Sequence, residues 1–142
     1  MNEIQKQLLD AISKGEIKKV RVLLEQGADP NGIDDDMQWT PLTVAIENEQ
    51  IEIIRLLLSS GAEINRRSKY GQSPLHIAVD ISIDGTYQAH GKYGDEPIDI
   101  ISYLLQQGAD KNATDKDGKT PIDWALEYKS DKIVKLLKEF KP

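Results

Sequence analysis

One phrase is written three times in this chain: LLEQGADPN from Leu23 to Asn31, LLSSGAEIN from Leu57 to Asn65, and LLQQGADKN from Leu104 to Asn112. Alternating with it stand TPLTVAI (Thr40 to Ile46), SPLHIAV (Ser73 to Val79) and TPIDWAL (Thr120 to Leu126). Thr40 and Ser73 lie 33 residues apart, and Gly27 and Gly61 lie 34 apart. A unit of that length cannot close a core alone, so successive units must stack and share one. From Gly61 to Gly108 the spacing is 47, one period plus an insertion of about 14 residues.

The residue types say what each unit is. Thr40, Ser73 and Thr120 are N-cap residues whose hydroxyls accept from free backbone N–H groups, and the proline after each suits the first helical position. Ala45, Ala78 and Ala125 are small where a second helix must approach, and Ile51, Ile54, Leu57 and Leu58 are spaced as the apolar stripe of that helix. Gly27, Gly61 and Gly108 end it as left-handed C′ residues. The polar, glycine-bearing NRRSKYGQ and NATDKDGK then read as tight turns leading to the next cap. The unit is turn, helix, short loop, helix.

With its Thr-Pro-Leu-His, paired-leucine and Gly-Ala-Asp phrases, the chain resembles the ankyrin-repeat family over essentially its whole length. The expected fold is an all-α solenoid of four helix-pair units: an N-terminal cap at 3–36, repeats at 37–70 and 71–117, and a C-terminal cap at 118–142. There are departures from the pattern. Gln38 replaces the usual turn glycine, Thr43 and Asp123 replace the motif histidine, and the loop with Asp34, Asp35 and Asp36 is one residue longer. The resemblance implies that His76 makes a structural hydrogen bond to a neighbouring turn. Aligning Ala78 with Ala45 and Ile98 with Ile51 places the insertion at about 81–94, between the two helices of the third unit. Its Asp84-Gly85 step between Ile83 and Tyr87 predicts a small protruding hairpin or ordered loop on the edge opposite the turn tips.

Composition narrows the function. The 142 residues carry no cysteine, which removes disulfides, thiolate catalysis and cysteine-bound zinc and fits a reducing compartment. The charged N-terminal stretch MNEIQKQLLDAISKGE is expected to be neither signal peptide nor membrane anchor, so a cytoplasmic, soluble chain is expected. A net charge of -6 disfavours nucleic acid and favours a basic protein partner. Motif fragments do not add up to chemistry. GKT at 118–120 lacks the first P-loop glycine, since Ala113 stands there. Asp80, Ser82, Asp84 and Gly85 spell the start of a calcium loop, but its twelfth position is Gly91 instead of glutamate. His76 and His90 without cysteine make a weak zinc site, and NAT at 112–114 is read as a chance sequon. No cofactor or metal is expected.

What remains is a binding surface. The resemblance implies that partners meet the turn tips and first helices. By position these are Asp36, Met37, Trp39, Glu47 and Asn48; then Lys69, Tyr70, Gln72, Asp80 and Ile81; then Lys116, Asp117, Lys119, Glu127 and Tyr128. Trp39 beside Met37 and Tyr70 reads as an anchor, or else it folds back over the lengthened turn. Trp124, in register with Val44 and Ile77, is expected in the core. Tyr87, His90 and Tyr93 of the insertion either contact a partner or pack down. The leading expectation is a monomeric, non-catalytic protein-binding module presenting roughly 800 Å². An inhibitor or immunity-type protein that occludes a basic partner such as a toxin fits best. A targeting or scaffold adaptor is the alternative, and an enzyme or calcium site in the insertion comes third.

Overall fold

Each Thr-Pro or Ser-Pro step opens a helix. In the computed structural model, which describes residues 2–33, 39–88 and 97–141 (backbone alone at 85–88), Thr40 Oγ1 accepts from the Thr43 N–H at 3.2 Å. Ser73 Oγ accepts from His76 N–H at 3.3 Å and Thr120 Oγ1 from Asp123 N–H at 3.2 Å. Eight helices are described: α1 (Glu3–Ser13), α2 (Ile17–Glu25), α3 (Pro41–Glu47), α4 (Ile51–Ser59), α5 (Pro74–Gln88), α6 (Asp99–Gln106), α7 (Pro121–Glu127) and α8 (Asp131–Glu139). Among the described residues there is no strand, and the fold is the all-α solenoid. The helices α1, α3, α5 and α7 lie side by side, and each packs on the helix that follows it.

The shared core runs through all four pairs. Leu8, Ile12, Leu42, Ile46, Leu75 and Val79 come from the inner row; Ile53, Ile54, Leu57, Ile101, Leu104, Ile133 and Leu137 come from the outer helices. In α4 the fully buried positions are Ile53, Ile54 and Leu57, while Ile51 and Leu58 are only half-buried, a shift from the expected stripe. Ile51 is the first helical residue and sits at the mouth of a side cavity. Gly27, Gly61 and Gly108 have φ of 101°, 100° and 100°. The N–H two residues past each C-cap, on Ala28, Ala62 and Ala109, reaches back to the carbonyls of Leu23, Leu57 and Leu104 at 2.9–3.0 Å, which is the Schellman ending that glycine permits.

The insertion departs from expectation. Inner helices α1, α3 and α7 are followed by left-handed residues, Gly15, Glu49 and Lys129, that turn the chain toward the outer helix. Ser82 holds that register in the third unit, yet α5 continues through it to Gln88. No hairpin forms at Asp84-Gly85. Leu75, Val79, Ser82 and Ile83 recur at helical spacing and are buried, and Ser82 Oγ donates to the carbonyl of Pro97, just ahead of α6. An Asp-Gly turn needs alternating strands on both sides, and a continuous buried helical stripe defeats it. His90 and Tyr93 lie outside the described residues.

Polar bonds fix the spacing between units. Asn31 Nδ2 donates to the Gly61 carbonyl at 2.9 Å while its Oδ1 accepts from Glu63 N–H at 2.7 Å. Asn65 repeats this with Gly108 at 3.4 Å and Asp110 at 2.8 Å. Adjacent turns touch where Lys116 N–H donates to the Tyr70 carbonyl at 3.1 Å. Gly71 is needed there, because a Cβ on it would lie 3.0 Å from Lys116 N. His76 is fully buried; its Nδ1 accepts from Ser73 N–H at 3.1 Å and Nε2–H donates to the Lys119 carbonyl at 2.9 Å, the bond to a neighbouring turn that the family resemblance implied. Thr43 and Asp123, at the same position, bond instead to Thr40 and Thr120 within their own first turns. Burial lowers the His76 pKa, and the bond to Lys119 and the charge of Asp115 offset that only in part.

Two outcomes are expected. Asn31→Ala and Asn65→Ala should each cost about 1 kcal/mol in urea unfolding while helical circular dichroism is unchanged. The stability that neutral His76 contributes is complete above the ordinary histidine value of 6.5 and declines as pH falls below it, because the unfolded chain takes up the proton first. Urea midpoints of the wild type should therefore drop relative to His76→Gln between about pH 7 and pH 5; a constant offset would exclude that coupling.

Candidate protein-binding groove

The side formed by the turn tips and the inner helices carries a groove of about 430 Å³. Trp39 reaches it from the residue just ahead of the α3 cap, and Glu47 from the last turn of α3. Gln72 stands before the α5 cap, with Ile77 and Asp80 one and two turns into that helix. The last turn tip supplies Asp115, Asp117 and Lys119, and α7 and its C-cap supply Trp124, Glu127 and Tyr128. Since α3, α5 and α7 are stacked in register, equivalent positions of three units converge on one concavity.

Part of this lining is committed to structure. Both oxygens of Asp115 are occupied: Oδ1 accepts from the N–H groups of Asp117 and Lys119 at 2.9 Å each, and Oδ2 accepts from the Trp124 indole at 2.9 Å. Burial would push the Asp115 pKa up, but those donors outweigh it and hold the carboxyl below its ordinary value. Trp124 also meets the His76 ring edge-on at 5.1 Å. Lys119 pairs with Glu127. Glu47 and Asp80 are different. Among the described residues neither pairs with a cation, and each is half-buried. Burial, then the charge of Asp80, raises the Glu47 pKa; burial, then the charge of Asp84, raises that of Asp80.

Of the residues expected at the surface, Trp39, Glu47, Gln72, Asp80, Lys119 and Tyr128 come together here, with Asp117 and Glu127. Others do not. Asn48 caps α3, its Nδ2 donating to the Val44 carbonyl at 2.8 Å. Lys69 and Tyr70 are exposed on the preceding turn, where the Lys116 ammonium lies 5.9 Å from the Tyr70 ring centre. Ile81 faces the side cavity, about 610 Å³, between α4 and α6. Asp36 and Met37 lie outside the described residues, and of Tyr87 only the backbone in α5 is described. Trp124 is half-buried and lines the groove as well as packing on His76, so it is less a core residue than its register suggests. Asp115 was missed; only its place in the Asp-x-Asp-Gly turn hinted at its bonding. The calcium-loop spelling at Asp80, Ser82, Asp84 and Gly85 falls on continuous helix, with Ser82 turned inward. Among the described residues no group of three or more His, Cys, Asp or Glu is placed to hold a metal ion, and no helix is long and apolar enough to cross a membrane.

Stacked helix pairs joined by tight turns, with a groove along the inner row, define a repeat-built interaction scaffold. The family model for three consecutive ankyrin repeats matches residues 8–84 and the single-repeat model matches 70–116; the chain belongs to the ankyrin-repeat family. It is similar to the mouse 2-5A-dependent ribonuclease, 45% identical over 71 residues, covering 50% of this chain and 10% of that protein. Human SH3 and multiple ankyrin repeat domains protein 1 is 41% identical over 75 residues, 52% of this chain and 4% of the relative. An ankyrin repeat protein of fowlpox virus is 38% identical over 89 residues, 62% of this chain and 12% of the relative. The chain thus matches only a small part of each of these proteins.

The charge on these two half-buried carboxylates has a measurable cost. A carboxyl whose folded pKa is raised destabilises the fold once pH exceeds its unfolded value, 4.5 for Glu47 and 3.8 for Asp80, and the cost vanishes when both states are protonated. Glu47→Gln and Asp80→Asn should therefore raise the melting temperature near neutral pH, by about 2 °C. Near pH 3 the gain should disappear in the same thermal scans; a gain independent of pH would show that charge is not its source.

Proposed function

We propose that this chain is a non-catalytic module that binds another protein across the groove, that the partner is basic, and that binding occludes the partner's surface in the manner of an inhibitor. One observation carries the reading: Trp39, Trp124 and Tyr128 share a groove with Glu47, Asp80, Asp117 and Glu127, against one lysine among the described lining residues, already paired. Aromatic rings supply contact area at low entropic cost, and the surrounding carboxylates select for positive charge. The net charge of -6 extends the same attraction to longer range. The absence of cysteine suits a reducing compartment such as the cytoplasm. A second reading, a targeting or scaffold adaptor that links partners without blocking them, draws on the likeness to SH3 and multiple ankyrin repeat domains protein 1, whose name sets ankyrin repeats beside SH3.

Isothermal titration against purified basic proteins, nucleases included, tests both. A true partner should bind one to one, more weakly as ionic strength rises, and about thirtyfold more weakly to Trp39→Ala. Loss of the partner's own activity on binding favours the inhibitor over the adaptor. Binding that ignores both salt and Trp39 would refute this choice of surface.

A further inference from the structure

We infer that the groove is a receptor for an arginine side chain of the partner, with the guanidinium held by the carboxylates of Glu47 and Asp80 against the aromatic walls. This rests on the reading of the groove as a protein-binding site and adds the chemistry of its central contact.

The assignment follows from which groups are already used. Asp115 spends its oxygens on two backbone N–H groups and the Trp124 indole, and Glu127 is paired with Lys119. Asp117 is exposed at the turn tip, which leaves Glu47 on α3 and Asp80 on α5 as the half-buried carboxylates of the groove, without a cation among the described residues and with the charge of Asp80 adding to the cost of ionising Glu47. A ligand that satisfies both needs one positive charge and several donors in a plane, because the two carboxylates come from different helices. Guanidinium has five N–H donors in a rigid fork, matching that demand better than the three donors of an ammonium point charge. The walls decide in the same direction. Trp39 and Tyr128 line the groove, and aromatic rings are what a weakly hydrated guanidinium stacks on, whereas a small inorganic cation would have to shed water there for only two carboxylates. Two further charges bear on the pair: Asp84 lies near Asp80 on α5, and Asp117 lines the groove, so the field stays negative with Lys119 neutralised. At about 430 Å³ the groove exceeds one side chain, leaving room for the backbone that carries it.

The test uses the full chain, isotopically labelled, and three synthetic peptides with the same Gly/Ser frame and a central arginine, lysine or citrulline. Citrulline keeps the shape of arginine without its charge. Titrating in the arginine peptide should move the Trp39 indole N–H resonance, the citrulline peptide should leave it in place, and the lysine peptide should bind about fivefold more weakly. The Glu47→Gln/Asp80→Asn double variant should weaken the arginine peptide about tenfold, whereas Glu3→Gln/Glu139→Gln, which removes two charges on other helices, should not. Equal response to arginine and citrulline, or equal weakening by both double variants, would overturn the arginine receptor. The same variants are then titrated with whichever basic protein binds in calorimetry. If Trp39→Ala weakens that protein and Glu47→Gln/Asp80→Asn does not, the arginine receptor is wrong and the groove stands; if neither weakens it, both are wrong.

Discussion

No helix pair in this chain can hide its own apolar face. Leu42 and Ile46 of α3 are fully buried because α1 and α5 flank them, and Leu75 and Val79 of α5 depend in the same way on α3 and α7. Stability is therefore a property of neighbours, and nearest-neighbour contact is the term that closes the free-energy balance. Asn31 and Asn65 give that contact its register, each tying a turn to the helix end of the following unit through one donor and one acceptor. The order of the inner helices, and with it the convergence of Trp39, Asp80 and Tyr128 on one groove, is a consequence of this stacking.

Once stacking is fixed, the groove stands out for the local rules it breaks. The polar groups that brace the last two turns are saturated: His76 uses both ring nitrogens, and Asp115 uses both oxygens. Glu47 and Asp80 are half-buried carboxylates that repel, and the fold would be better off without their charge. Sequences keep such costs where recognition needs them. The tension is local to α3 and α5 and leaves the seam behind them intact, since Ala45, Ile46, Ala78 and Val79 of the same helices remain buried.

Much of the fold could be read from the residues because its instructions are local. Thr40-Pro41, Ser73-Pro74 and Thr120-Pro121 start helices by satisfying free N–H groups, and Gly27, Gly61 and Gly108 end them through a backbone conformation other residues resist. The reading failed where a local signal met a longer-range one. Asp84-Gly85 spells a turn by itself, but Ser82 and Ile83 extend the buried stripe of α5, and burial prevails. For the groove, position within the repeat located Trp39, Glu47, Gln72, Asp80 and Tyr128, since equivalent positions face the same way in each unit. It could not foresee Asp115, whose role comes from a bond to Trp124 across a turn, nor that Asn48 and Tyr70 stand outside the groove.

The overhang of α5 has an architectural corollary. Helix α5 runs 15 residues where α3 and α7 run 7, and Ser82 meets the carbonyl of Pro97 before α6 begins. That bond ties the longest inner helix to the residue just ahead of its outer partner, so Ser82 and Pro97 are held together by the frame itself. The third unit thus joins its two helices through a side-chain clasp at the register where the other three units turn through a left-handed residue.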